Sequence, residues 1–157
     1  MAKEGELVAS PNIDDIDREI IRLLQIDGRT SYSQLGRTVG LSDAAARQRV
    51  NRLTAEGYID IVAVTDPVKM GLESQALLGI RVSDDARKVA VELGALDNTV
   101  YVVMTAGRYD VIAEIVTRNR EEFIEVSNAV RLLPGVDSVE VLPYLGITKE
   151  TYDWGVL

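Results

Sequence analysis

Between Ser42 and Gly57 the chain carries five side chains able to grip a nucleic acid, in the run SDAAARQRVNRLTAEG: Arg47, Gln48, Arg49, Asn51 and Arg52. A guanidinium can donate two parallel hydrogen bonds to guanine, and a carboxamide pairs in the same forked way with adenine. Arg47 and Gln48 are therefore the candidate base readers. Arg49 and Arg52 suit phosphate, which sets register without reporting sequence. Ala44 and Ala45 are small enough for close approach, or for contact with a thymine methyl. Arg29 and Arg37 lie just upstream, where they can clamp backbone. Other chemistry is scarce. The chain has no histidine and no cysteine. The commonest general base, the commonest metal ligand and every thiolate site or disulfide are thereby removed. No metal and no cofactor is expected.

The elements that must hold these arginines read as three helices. Asp14 is a candidate N-cap with Asp17 three residues on, as in a capping box. Ile13, Ile16, Ile20, Leu23 and Leu24 then recur at helical spacing until Asp27-Gly28. A second helix spans about Ser33 to Val39 and ends at Gly40. Ser42, itself counted among the expected DNA contacts, caps a third, which runs to about Glu56 and stops at Gly57. On that helix Ala46, Val50 and Leu53 form the buried stripe, leaving Ala44, Gln48 and Asn51 opposite, flanked by Arg47 and Arg52. Helix, tight turn at Gly40-Leu41-Ser42, helix is the layout of a helix-turn-helix, whose second helix enters the major groove N-terminal end first. Tyr58–Thr65, YIDIVAVT, is β-branched and predicts a strand, the wing of a winged helix-turn-helix.

Charge agrees with this division. The chain carries a net charge of −8. Residues 29–56 nevertheless set five arginines against Asp43 and Glu56 alone. A basic patch on an acidic protein is an electrostatic footprint for phosphate. Nothing in MAKEGELVASPN resembles a signal peptide, and no apolar run approaches a membrane span. A cytoplasmic, nucleoid-associated protein is expected, with residues 1–12 as a flexible tail, 13–66 as the winged helix-turn-helix and 67–73 as a linker.

Residues 74–157 follow a different grammar. Strands are predicted at Gln75–Val82, Val100–Thr105, Asp110–Thr117 and Asp137–Leu145, with helices at Asp84–Leu96 and Arg120–Leu133. The order βαββαβ is that of a ferredoxin-like sandwich, making the whole chain an α+β protein. Two helices can cover one face of such a sheet. Yet Leu77, Leu78, Ile80, Val82, Tyr101, Val102, Val103, Val111, Ile112, Ile115, Val116 and Val141 are too many apolar residues for one face. A second copy packed on the open face, giving a homodimer, is the economical solution.

With these segments in place the sequence resembles the leucine-responsive/asparagine-regulator (Lrp/AsnC) family of prokaryotic transcriptional regulators. The resemblance rests on IDDIDREIIRLLQIDGRTSYSQLGRTVGLS, RQRVNRLTAEGYI, TAGRYDVIAEIV and LLPGVDSVEV, and runs from about Ile13 to Thr148. It implies double-stranded DNA as partner, a ligand-sensing C-terminal domain, and dimers that assemble further, often into octamers. It also implies a small effector, usually an amino acid. The effector site it points to comprises Val103, Met104 and Thr105, the hairpin Gly107-Arg108-Tyr109-Asp110, and Leu142, Pro143 and Tyr144 from a neighbouring subunit. Backbone amides at a glycine turn suit a carboxylate, and Asp110 suits an ammonium group, the two poles of an α-amino acid. Two other readings stay open. One is an effector-independent DNA-packing protein. The other is a relative of haem-pathway decarboxylases, whose chemistry relies on histidines that this chain does not have.

Overall fold

A computed structural model describes residues 12–151. The predicted tail, up to residue 11, and Trp154 lie outside the described residues. Two compact units result, one running up to Ala63 and one spanning Val64–Glu150.

The first unit holds α1 (Asp15–Ile26), α2 (Tyr32–Val39) and α3 (Asp43–Ala55). Each helix begins on its own local cap. The Asp14 carboxylate accepts the Asp17 amide at 2.8 Å while the Asp17 carboxylate accepts the Asp14 amide, completing the capping box. Ser31 accepts from Gln34 and Ser42 from Ala45, both at 3.2 Å. Each such cap contributes about 1 kcal/mol. Gly40 and Gly57 take the left-handed conformation (φ 73° and 75°) that ends α2 and follows α3. Ile20, Leu35, Ala46, Val50 and Leu53 close the core between the three helices. Ala46, Val50 and Leu53 are the stripe that helical spacing selects.

One expectation fails here. Tyr58–Thr65 does not form the wing strand. Ile59 packs on the helical core, but Ile61, Val62 and Val64 are exposed. A strand needs a neighbour to take its amides and carbonyls, and among the described residues none pairs with this segment. The supposed linker is also more ordered than expected. Asp66 accepts the amides of Val68 and Lys69, and Leu72 donates to the Pro67 carbonyl at 2.9 Å, folding Pro67–Gly71 into a turn of the second unit.

The second unit comprises β1 (Ser74–Val82), α4 (Ala86–Gly94), β2 (Thr99–Met104), β3 (Val111–Thr117), α5 (Arg120–Arg131) and β4 (Val136–Pro143). The strands form one antiparallel sheet in the order β2-β3-β1-β4, the predicted ferredoxin-like topology. Ala76, Leu78 and Ile80 of β1 and Val111, Ala113 and Ile115 of β3 point to one face. There they bury Val89 and Leu93 of α4 and Val130 of α5. Strand alternation sends Leu77, Val103, Ile112, Val116 and Leu142 to the other face, which the helices leave uncovered. The excess of apolar residues in the strands is this second face.

Candidate nucleic-acid interface

At about 100° per residue, Arg47, Ala44, Gln48 and Asn51 fall within one arc of α3, opposite the buried stripe. All four are exposed. Ala45 is half-buried beside them. Arg29 and Arg37 are exposed as well, Arg37 in the last turn of α2. Arg47 lies over the ring of Tyr32, its guanidinium carbon 5.1 Å from the ring centre.

The turn that sets α3 against α2 is fixed by a glycine that sequence reasoning passed over. Gly36 is buried, and a Cβ there would stand 2.6 Å from the Leu41 carbonyl oxygen and 3.2 Å from the Ser42 backbone. The Leu41 amide donates to the Gly36 carbonyl at 2.7 Å. Gly36 thus lets the turn backbone lie directly against α2.

Arg49 and Arg52 require a correction. They were expected on phosphate, but both are committed inside the unit. Arg49 donates to Asp14 at 2.7 Å and to Asp17 at 2.8 Å. Arg52 donates to Asp17 and, at 3.1 Å, to the Asn12 carbonyl. Asp17 is only 1% exposed. Burial pushes its carboxyl upward, but the hydrogen bonds from Arg49 and Arg52 outweigh that and hold it below the ordinary range. Both guanidiniums are raised by the same contacts. A buried carboxylate needs such partners, so these two arginines fasten the start of α1 to α3. Asn12, expected in the tail, is part of the cluster; its amide donates to the Tyr58 hydroxyl at 3.1 Å.

In the second unit the hairpin after β2 is tied down by its own side chains. One Asp110 carboxylate oxygen accepts the Val82 amide at 2.9 Å, at the irregularity of β1. The group expected to meet an ammonium is therefore already engaged with backbone. Thr105 donates to the Tyr109 carbonyl at 2.6 Å. The Tyr109 ring crosses the open sheet face over Gly79, and its hydroxyl donates to Glu140. Arg108 lies over the same ring and pairs with Glu140 at 3.2 Å. Gly107 (φ 156°) stays open. Leu142, Pro143 and Tyr144 are not brought to this hairpin. Ile80 of β1 pairs with Val111 just beyond it, whereas Ala76 pairs with Pro143 and the Tyr144 amide donates to Gln75. Four residues of strand, about 13 Å, separate the two groups within one chain.

Comparison with known proteins agrees with both halves. Residues 13–54 match the AsnC-type helix-turn-helix domain, and residues 74–157 match a family described as a C-terminal dimeric alpha+beta barrel domain. The HTH-type transcriptional regulator FL11 of Pyrococcus furiosus is 32% identical, over 88% of this chain and 93% of its own. Among solved structures, AsnC of Escherichia coli has a TM-score of 0.79 at 24% identity, covering 90% of this chain and 98% of that one. A transcriptional regulator from Neisseria meningitidis, solved in complex with L-Met, has a TM-score of 0.81 at 21% identity, covering 92% and 97%. Three locally capped helices with an exposed polar arc on the third, followed by a βαββαβ sheet, thus coincide over both units with one set of relatives, and the chain belongs to the Lrp/AsnC family of HTH-type transcriptional regulators.

Proposed function

We propose that this regulator reads DNA sequence through α3, with Arg47 and Gln48 on base edges, Asn51 beside them, Ala44 and Ala45 closest to the groove floor, and Arg29 and Arg37 on phosphates. The observation that carries this is the exposed arc of α3, which stays free while Arg49 and Arg52 are used internally. The family description of the second unit as dimeric, together with the apolar open face of its sheet, supports a homodimer. Two α3 helices would then meet successive major grooves of a roughly palindromic site. Further assembly to an octamer and an amino-acid effector form the second part of the proposal. The L-Met complex of the Neisseria relative supports an effector of that class. A residue set split between the two ends of β1 supports a site completed by a neighbouring subunit. The engaged state of Asp110 and Tyr109 favours a competing reading, DNA packing without an effector.

The test is selection of a duplex from a randomised library by the full-length protein, followed by titration of that duplex in rising salt with and without single amino acids. Enrichment of one sequence, and loss of its preference in R47A and Q48A by about 1–3 kcal/mol each, is the expected result. R37A should lower the salt slope by about one and R52A should leave it unchanged. Binding without sequence preference would overturn the base-reading assignment. Enrichment that no amino acid alters would favour the effector-independent reading.

A further inference from the structure

We propose that Tyr32 is a positioning residue for base recognition: its ring is a fixed platform that holds Arg47 ready for the major groove. This rests on the assignment of Arg47 as a base reader and adds a residue outside the recognition helix to that site. Tyr32 is the first residue of α2, directly after the Ser31 cap, so its backbone is set by the 3.2 Å bond from Gln34 to Ser31. Its ring is half-buried and packs on the cluster of Ile20, Leu35, Ala46 and Leu53. The platform therefore belongs to the core of the unit. The Arg47 guanidinium carbon lies 5.1 Å from the ring centre, inside the range where a cation is drawn to an aromatic face.

The kind of contact matters as much as its presence. A guanidinium drawn to a ring by cation–π attraction spends none of its N–H hydrogens on a carboxylate. Those hydrogens are what a forked contact to guanine needs. Arg49 shows the contrary arrangement, with its Nη1 hydrogens spent on Asp14 and Asp17. A long side chain released from the ring would have to be ordered anew on every encounter. Tyr32 removes part of that ordering before DNA arrives.

The experiment uses the full-length protein and the duplex it enriches from a randomised library, with each base pair varied in turn. The variants are Y32F, Y32L, R47A and Y32L/R47A, each with its melting temperature recorded. Y32L should weaken discrimination about two- to fivefold, at the same base pair that R47A flattens and at no other. Y32F should keep discrimination. Y32L in the R47A background should add nothing, and the salt slope should be unchanged throughout. Y32L with full discrimination, where R47A has lost it, overturns the positioning role while leaving the Arg47 assignment intact. A lowered melting temperature with uniform loss at all base pairs in Y32L assigns Tyr32 to the core alone and also overturns it. R47A indistinguishable from the parent, or failure to enrich any duplex, overturns the underlying reading and this one with it.

Discussion

Removal of the Asp17 carboxylate is the sharpest perturbation of the DNA-binding unit. Asp17 is buried, and it accepts from Arg49, Arg52 and the Asp14 amide. Taking away one partner of a buried pair typically costs about 3–5 kcal/mol, because the remaining charge is left unpaired. The Arg49 and Arg52 side chains are 28% and 32% exposed, so water can take up part of the loss. We expect about 2–3 kcal/mol for Asp17→Ala, which for a unit of this size lowers the melting temperature by roughly 10–20 °C. The shift should be carried by methyl resonances of Ile20 and Leu35 and be absent from those of Leu78 and Ile80, which belong to the other core. The triple variant D17A/R49M/R52M should recover part of the loss, since no buried charge then stays unpaired; Asp14 and Glu56 lose their arginines, but both are exposed to water. The sign with pH follows from the depressed carboxyl. Its stabilisation is complete above the unfolded value of 3.8 and is lost as pH falls through the lower folded value, so the first unit should weaken in acid below about pH 4. A D17A protein within about 0.5 kcal/mol of the parent would refute the reasoning.

Gly36→Ala drives a Cβ against backbone at 2.6 Å and should cost about 1–3 kcal/mol, with loss of DNA binding; thermal melting and anisotropy check both. Gly79→Ala meets only the end of the Tyr109 ring, at 2.7 Å, which can swing away. Its stability should therefore change little, while the Tyr109 hydroxyl, raised above 10.0 by its bond to Glu140, returns toward the ordinary value in an NMR titration of the phenol carbon. Glu122 accepts from Arg118 and Asn98, contacts that hold its carboxyl at about 2. Carboxyl-carbon NMR should show it charged to about that pH, and its contribution should be present above 4.5 and lost only as pH falls toward 2.

The parts of the structure that the sequence discloses are those with local causes. Asp14 and Ser42 cap α1 and α3 as their spacing predicts; Ser31, Asp85 and Asn119, which the sequence reading does not single out, cap the other three helices in the same local way. The strand order follows from alternating βαββαβ segments with short connections. The wing strand over Tyr58–Thr65 reads as a strand because its residues favour extended backbone, but composition cannot supply a neighbour. Arg49 and Arg52 show the other kind of loss. Helical spacing tells which face a residue occupies, and says nothing about what another helix presents to it. A signal did exist, for Asp17 sits four residues after Ile13 and three before Ile20, on the apolar stripe of α1. A carboxylate there requires a cation from across the core. Gly36, and Tyr109 over Gly79, depend on backbone approach and cross-strand register, which periodicity does not report.

The register of β1 also bears on how the chain is made. α1, α2 and α3 are neighbours in sequence and close their core with contacts among themselves. β1 instead pairs Ile80 with Val111 and, on its other side, with Val139. Local contacts form quickly and distant ones slowly, and synthesis delivers the N-terminal part first. A nascent chain will thus present a finished helix-turn-helix while both edges of β1, with buried Leu78 and Ile80, still await strands not yet translated. A nascent chain that has emerged only as far as Thr117 would carry a DNA-binding unit joined to three of the four strands, open along the edge of β1 that β4 later closes.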